Sequence, residues 1–213
     1  MLPFAVARRR RKKSARSGVP HGARPFHHRR YPIHVTLRRA ALLPSLREQS
    51  LFVALRRALT RTARSWFRVV QFSVQSNHVH MIVEADDKRS LSRGMNGLSV
   101  RLARAFNRAL GRRGRVWSER YHSRPLKTPW EMRNGLVYVL LNRRKHDSPG
   151  RQAVTKSFDP CSSAWWFAGW AQPPSSGPPF SVDDPPVMPA QTWIAREGWK
   201  RHGLLRPEES PRR

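Results

Sequence analysis

His78 and His80 flank Val79 in the run Gln75-Ser76-Asn77-His78-Val79-His80-Met81-Ile82-Val83-Glu84. The apolar residues set among them predict a β-strand. Residues i and i+2 of a strand leave from one face, so the two imidazoles would stand side by side, away from Val79, Met81 and Val83. Two neutral nitrogen donors on a rigid strand are half of a metal site. The same pair is equally compatible with two histidines that bind nothing. A second pair lies in Gly135-Leu136-Val137-Tyr138-Val139-Leu140-Leu141-Asn142. Thr128 as N-cap, Pro129 at the first helical position and Glu131 completing a capping box predict a helix that runs on to near Asp147. Tyr138 and Asn142, at i and i+4, then share a face, while Val137, Leu140 and Leu141 lie off it. A phenol and a carboxamide one turn apart suit a nucleophile and a third oxygen ligand for an ion. A tyrosine so placed is also, commonly, just a half-buried aromatic.

The elements that must position these residues follow from periodicity. Tyr31 to Arg38 alternates strictly, with Ile33, Val35 and Leu37 on one side and His34, Thr36 and Arg38 on the other. After Pro44, Ser45 and Glu48 read as a capping box opening a helix over 46–64, with Phe52, Leu55, Leu59 and Ala63 as its apolar stripe. Phe67 to Gln75 reads as a strand with Val70, Phe72 and Val74 on one face, and Ser76-Asn77 turns it into the His78 strand. Leu91, Met95, Leu98, Leu102, Ala105 and Ala109 mark a helix over 90–110, stopped near Gly111. Val116 to Leu126 reads as a fourth strand, followed by the Tyr138 helix. The order is β-α-β-β-α-β plus a helix. The predicted fold class is α+β, a ferredoxin-like antiparallel sheet with two helices on one face. Its first and third strands are central neighbours. His34 and Thr36 would lie beside His78 and His80 on the uncovered face, over which the Tyr138 helix can fold.

These stretches resemble the HUH single-strand DNA transposases with one catalytic tyrosine, and among them the REP-associated tyrosine transposases. The resemblance runs from about Tyr31 to Asp147. It rests on His78-Val79-His80 with Met81-Ile82-Val83-Glu84, on Arg120-Tyr121-His122-Ser123-Arg124-Pro125-Leu126, and on Tyr138-Val139-Leu140-Leu141-Asn142. In the family the asparagine is usually followed by proline; here Arg143 follows. The resemblance implies a metal-dependent endonuclease and strand transferase that acts through a 5′-phosphotyrosine. Tyr138 would be the nucleophile, and His78, His80 and Asn142 the ligands of Mg2+ or Mn2+. Two imidazoles suit manganese better than magnesium. Arg120, Arg124, His34 and Arg38 are candidate DNA contacts. Tyr121 is the rival nucleophile, and Glu84 shares parity with the histidines.

Charge points to the same kind of partner independently. Lys and Arg number 42 against 13 Asp and Glu, a formal charge of +29. Such a balance predicts strong, salt-sensitive attraction to phosphates. The expected partner is single-stranded or hairpin DNA, bound by a monomer or homodimer. The single Cys161 excludes an internal disulfide and a cysteine-rich zinc module. No apolar run approaches the roughly 18 residues of a membrane span, and a signal peptide would place charges before, not after, its apolar stretch. The expected location is cytoplasmic and nucleoid-associated.

Three regions are expected: a disordered basic arm over 1–29, a catalytic domain over 30–147, and a Pro/Trp-rich appendage over 148–213. The arm holds seven cations between Arg8 and Arg16. The appendage clusters its tryptophans at 165–170 and 193–199 around prolines. They suit docking on the first domain, or stacking on single-stranded bases. Two other functions remain open: a non-catalytic single-stranded DNA or RNA binder on the same fold, and a metal-dependent hydrolase that activates water.

Overall fold

The computed structural model describes residues 26–62, 64–142, 158–173 and 185–211. The basic arm to residue 25 and the prolines at 174 and 178–179 lie outside the described residues, whereas the helix opened by Pro129 ends at Leu140 with Leu141 as its C-cap, short of the Asp147 expected. Strands Ile33–Arg38 (β1), Phe67–Val74 (β2), His78–Ala85 (β3) and His122–Pro125 (β4) form one antiparallel sheet in the order β2-β3-β1-β4. Helices Gln49–Thr60 (α1) and Lys88–Ala109 (α2) connect β1 to β2 and β3 to β4. This is the ferredoxin-like arrangement, with β1 and β3 central.

Alternation in the strands sends Ile33, Val35 and Leu37, with Val79, Met81 and Val83, into one core. There they meet Leu51, Leu55 and Leu59 of α1 and Met95, Leu98, Leu102 and Phe106 of α2. Gly94 brings α2 down onto the sheet: a Cβ there would stand 2.2 Å from the Phe67 ring. A mid-helix glycine costs about 1 kcal/mol against alanine, and the close approach explains it.

Helix Pro129–Leu140 (α3) crosses the opposite face. Thr128 caps it, its hydroxyl accepting from Glu131 N at 3.1 Å. Leu136, Val137 and Leu140 pack on Ile82, Val70 and Leu126 in a second core. The C-terminal residues complete that core with Phe158, Trp170, Ile194 and Trp199. Cys161 to Ser163 lie along the outer edge of β2, where Val74 N donates to Cys161 O and Ser163 N to Phe72 O at 2.8 and 2.9 Å. The edge is thereby paired and not left open to another chain. Asp159, buried, takes both terminal nitrogens of Arg47 at 2.7 and 2.8 Å. Helix Trp193–Arg196 (α4) is tied to β3 through Glu84, which accepts from Gln191 N, Thr192 N and Thr192 Oγ1 at 2.8–2.9 Å.

The structure corrects several local expectations. α1 begins at Gln49, because Ser45 to Glu48 makes a separate turn in which Glu48 N donates to Ser45 O at 3.1 Å, and no capping box forms. A bulge between Val69 and Gln71 turns Val70 to the α3 side, while Phe67, Val69, Phe72 and Val74 face α1 and α2. The last strand is broken. Trp117 makes one bridge to Arg39, and regular pairing resumes only at His122. The break lets the adjacent Val116 and Trp117 both turn, with Tyr121, to the core under α1 and α2, where Trp117 Nε1 donates to Ser99 O at 2.9 Å. Glu131 reaches Lys127 N at 2.7 Å and not Thr128 N, so its capping box is displaced by one residue.

Candidate active site

Strand register assembles the polar cluster. Thr36 stands directly across from His80, Arg38 from His78, and His34 from both Ile82 and Arg124. Even-numbered residues of both central strands share the face under α3, so the cluster follows from alternation plus register. His80 is 4% exposed. Its Nδ1 lies 3.1 Å from Thr36 Oγ1 and 3.2 Å from His34 Nε2. His78 Nδ1 lies 2.5 Å from Asn77 Oδ1, and the two Nε2 atoms of His78 and His80 face each other at 2.7 Å. The Tyr138 ring meets His80 edge-on at 4.9 Å between centroids, and His34 at 5.5 Å.

These contacts bear on whether a cation fits. Asn77 Oδ1 can only accept, so His78 Nδ1 donates to it. His80 Nδ1 has hydrogen-bond partners in Thr36 and His34. Donation from His78 Nδ1 leaves the lone pair on His78 Nε2, which faces His80 Nε2 at 2.7 Å. Hydrogen bonds of this kind commonly fix the tautomer of metal-bound histidine. Asn142 adds a second observation: it is 1% exposed, and neither side-chain oxygen nor nitrogen bonds to a described residue. A buried amide left so costs roughly 1–3 kcal/mol, which a ligand would relieve. Among the described residues no group of three His, Cys, Asp or Glu could hold a metal ion. Two imidazoles with a carboxamide fall outside that class, and nitrogen and oxygen donors of these types suit a divalent cation.

Burial, then the charges of Arg124 and His78, lower the His34 pKa to about 4, so this ring is neutral at physiological pH. Arg124 is exposed and bonds Glu131 at 3.0 Å. Arg38 is exposed beside His78. Arg120 stands exposed in the break before β4, away from the regular pairing. Tyr121, 4% exposed, belongs to the core on the other side of the sheet. Glu84 lies on the same face of β3 as the histidines but is engaged by α4 and, at 3.7 Å, by Arg68. The sequence reading passed over Asn77 and Glu131 as orienting groups. It also passed over Asn134 and Trp130, although steps of four back from Tyr138 lead to both.

The family model for IS200-like transposases matches residues 33–133. Over that span the chain is similar to the IS200-like transposases. The matched span runs from β1 into the first turns of α3, includes His78 and His80, and stops before Tyr138 and Asn142. No curated protein matches the chain. Among solved structures, a REP-associated tyrosine transposase bound to a REP hairpin is similar at 17% identity, covering 77% of this chain and 100% of that one, with a TM-score of 0.49. Among the described residues, no helix is long and apolar enough to cross a membrane.

Proposed function

We propose that the chain nicks and rejoins hairpin-bearing single-stranded DNA, with Tyr138 as nucleophile and a 5′-phosphotyrosine as intermediate. The observation that carries this reading is the Tyr138 ring set against His80 at 4.9 Å, at the polar end of an otherwise apolar interface. In the forward step Tyr138 Oη bonds the phosphorus and the bond to the 3′ oxygen breaks. The phenol loses a proton and the departing 3′ oxygen gains one, so the exchange is neutral overall. Attack by another 3′ hydroxyl reverses the step and joins strands without further energy input.

The chain's own residues do most of the remaining work. α3 holds Tyr138 at a fixed depth because Leu136, Val137 and Leu140 on its other side are buried. Asn77 and Thr36 orient the rings of His78 and His80. His78, His80 and Asn142 would hold Mn2+ or Mg2+, which supplies Lewis-acid polarisation of the phosphate. Arg38 and Arg124 are placed to meet phosphates on either side of the cluster. Residues 49–83 and 88–118 contain no Asp or Glu, and a chain this basic favours a polyanionic partner.

The test is incubation of the full chain with labelled hairpin-bearing single strands and Mn2+, read as a protein–DNA adduct on a denaturing gel. Wild type is expected to form adduct. Tyr138→Phe is expected to lose adduct and nicking by roughly a thousandfold or more while binding DNA normally. His78→Ala and His80→Ala should lose cleavage and keep affinity. Nicking by Tyr138→Phe at wild-type rate would overturn the reading in favour of activated water.

A further inference from the structure

A cavity of about 450 Å3 opens beside Tyr138, between α3, β1, β4 and the C-terminal residues. Its floor and walls include His34, Arg124, Trp130, Asn134 and Tyr138. Trp130, Asn134 and Tyr138 follow one another in steps of four, so they form a stripe along α3. Trp130 is 42% exposed, and its ring is braced edge-on by His202 at 5.1 Å. Asn134, half-buried, makes no hydrogen bond or ring contact with a described residue. Arg133 and Glu209 also line the cavity, where Glu209 holds both terminal nitrogens of Arg133 at 2.8–2.9 Å.

The dimensions suit a short piece of unpaired strand. From Tyr138 to Trp130 the helix rises about 12 Å, the span of a few nucleotides at the roughly 3.4 Å rise of a stacked strand. We infer that this cavity is a base-binding subsite for the unpaired nucleotides flanking the scissile phosphate, with Trp130 as stacking platform and Asn134 as base reader. The inference rests on the proposed nucleophile for its direction along the strand, and deepens that reading. Stacking on an indole tolerates any base. A carboxamide pairs with adenine through one donor and one acceptor, so the base facing Asn134 should be adenine. Of the C-terminal tryptophans, Trp170 and Trp199 are 4% and 2% exposed within the second core, and Trp193, which is exposed, carries Arg201 over its ring at 4.8 Å.

The experiment uses the full chain in EDTA, which suppresses cleavage, with short oligothymidylate strands carrying one adenine or one 2-aminopurine. Binding should quench 2-aminopurine and favour the adenine-containing strand over plain oligothymidylate. Trp130→Ala should weaken binding about fivefold or more and lose most of the quenching. Trp130→Phe should keep most of the affinity, which separates stacking from a folding defect. Asn134→Ala should erase the adenine preference without removing the quenching. Wild-type affinity and quenching in Trp130→Ala would overturn the subsite, as would an unchanged adenine preference in Asn134→Ala. Tyr138→Phe that still nicks would overturn the nucleophile and leave these binding results standing.

Discussion

Under α1 and α2, the central strands present Ile33, Val35, Leu37, Val79, Met81 and Val83, all at 1% exposure or less. Under α3 the same strands present His34, Thr36, His78, His80, Ile82 and Glu84. The first face is filled with side chains that need only one another. The second is divided: Ile82, with Val70 and Leu126, seats α3, and the histidine end is buried but polar. A face that closes completely maximises apolar burial, about 25 cal/mol per Å2. A face that keeps buried nitrogens and an unbonded amide gives up part of that stability to hold groups ready for a ligand. The C-terminal residues belong to the second bargain. Phe158, Trp170, Ile194 and Trp199 cover what α3 leaves bare, so the catalytic face is closed by chain far away in sequence.

The difference can be broken by matched cavities. Leu55→Ala and Leu136→Ala each empty a fully buried site and should each cost about 2–5 kcal/mol in chemical denaturation. Only Leu136→Ala should also lower adduct yield per folded molecule, because α3 carries Tyr138. Equal yields from the two variants would separate the nucleophile from α3 packing.

Overfilling the first face is the next largest effect. Gly94→Ala places a methyl inside contact distance of the Phe67 ring and should destabilise by about 1–3 kcal/mol, despite alanine's better helix propensity. A rise in melting temperature would show that Phe67 has room to move.

Glu84→Gln tests the fastening of the C-terminal residues. It weakens three hydrogen bonds to a buried carboxylate and should cost about 1–2 kcal/mol, with proteolysis near residue 190 accelerated first. Protection at that site equal to wild type would mean that aromatic packing alone holds the segment.

Asn142→Leu should have the smallest effect on stability and the most telling sign. Replacing an unbonded buried amide by an apolar group of similar size should leave stability unchanged or raise it by up to about 1 kcal/mol. The same variant should need more Mn2+ for half-maximal adduct formation. A loss of stability beyond about 1 kcal/mol would show that Asn142 serves the fold.

Element type and order were legible where one strong period ran unbroken. Alternation in 33–38 and the four-three spacing from Leu91 to Leu102 left little choice, since each pattern buries its apolar side in only one secondary structure. The pairing of His78 with His80 was legible too, because both lie within one strand of fixed period, whereas Asn142 lies past the end of α3 at Leu140. Three things were not. The break before His122 and the bulge at Val70 are set by which side chains two cores can accept, which alternation along one strand cannot reveal. The displacement of α1 to Gln49 was decided by a turn that competes with a capping box for the same Ser45.

Sequence alone determined the charge, the ferredoxin-like order and the residue types that can bind a cation or attack a phosphate. The predicted strand order already set His34 and Thr36 beside His78 and His80; register across β1 and β4 decided that Arg124 stands across from His34. The docking of α3 on Ile82 and Leu126 brought the Tyr138 ring to within 5.5 Å of both His34 and His80. Tyr121, an equal candidate by residue type, was placed on the other side of the sheet, out of reach. Local periodicity fixes which face of its own element a side chain occupies; which faces meet depends on contacts between residues distant along the chain, and only the packed molecule makes them.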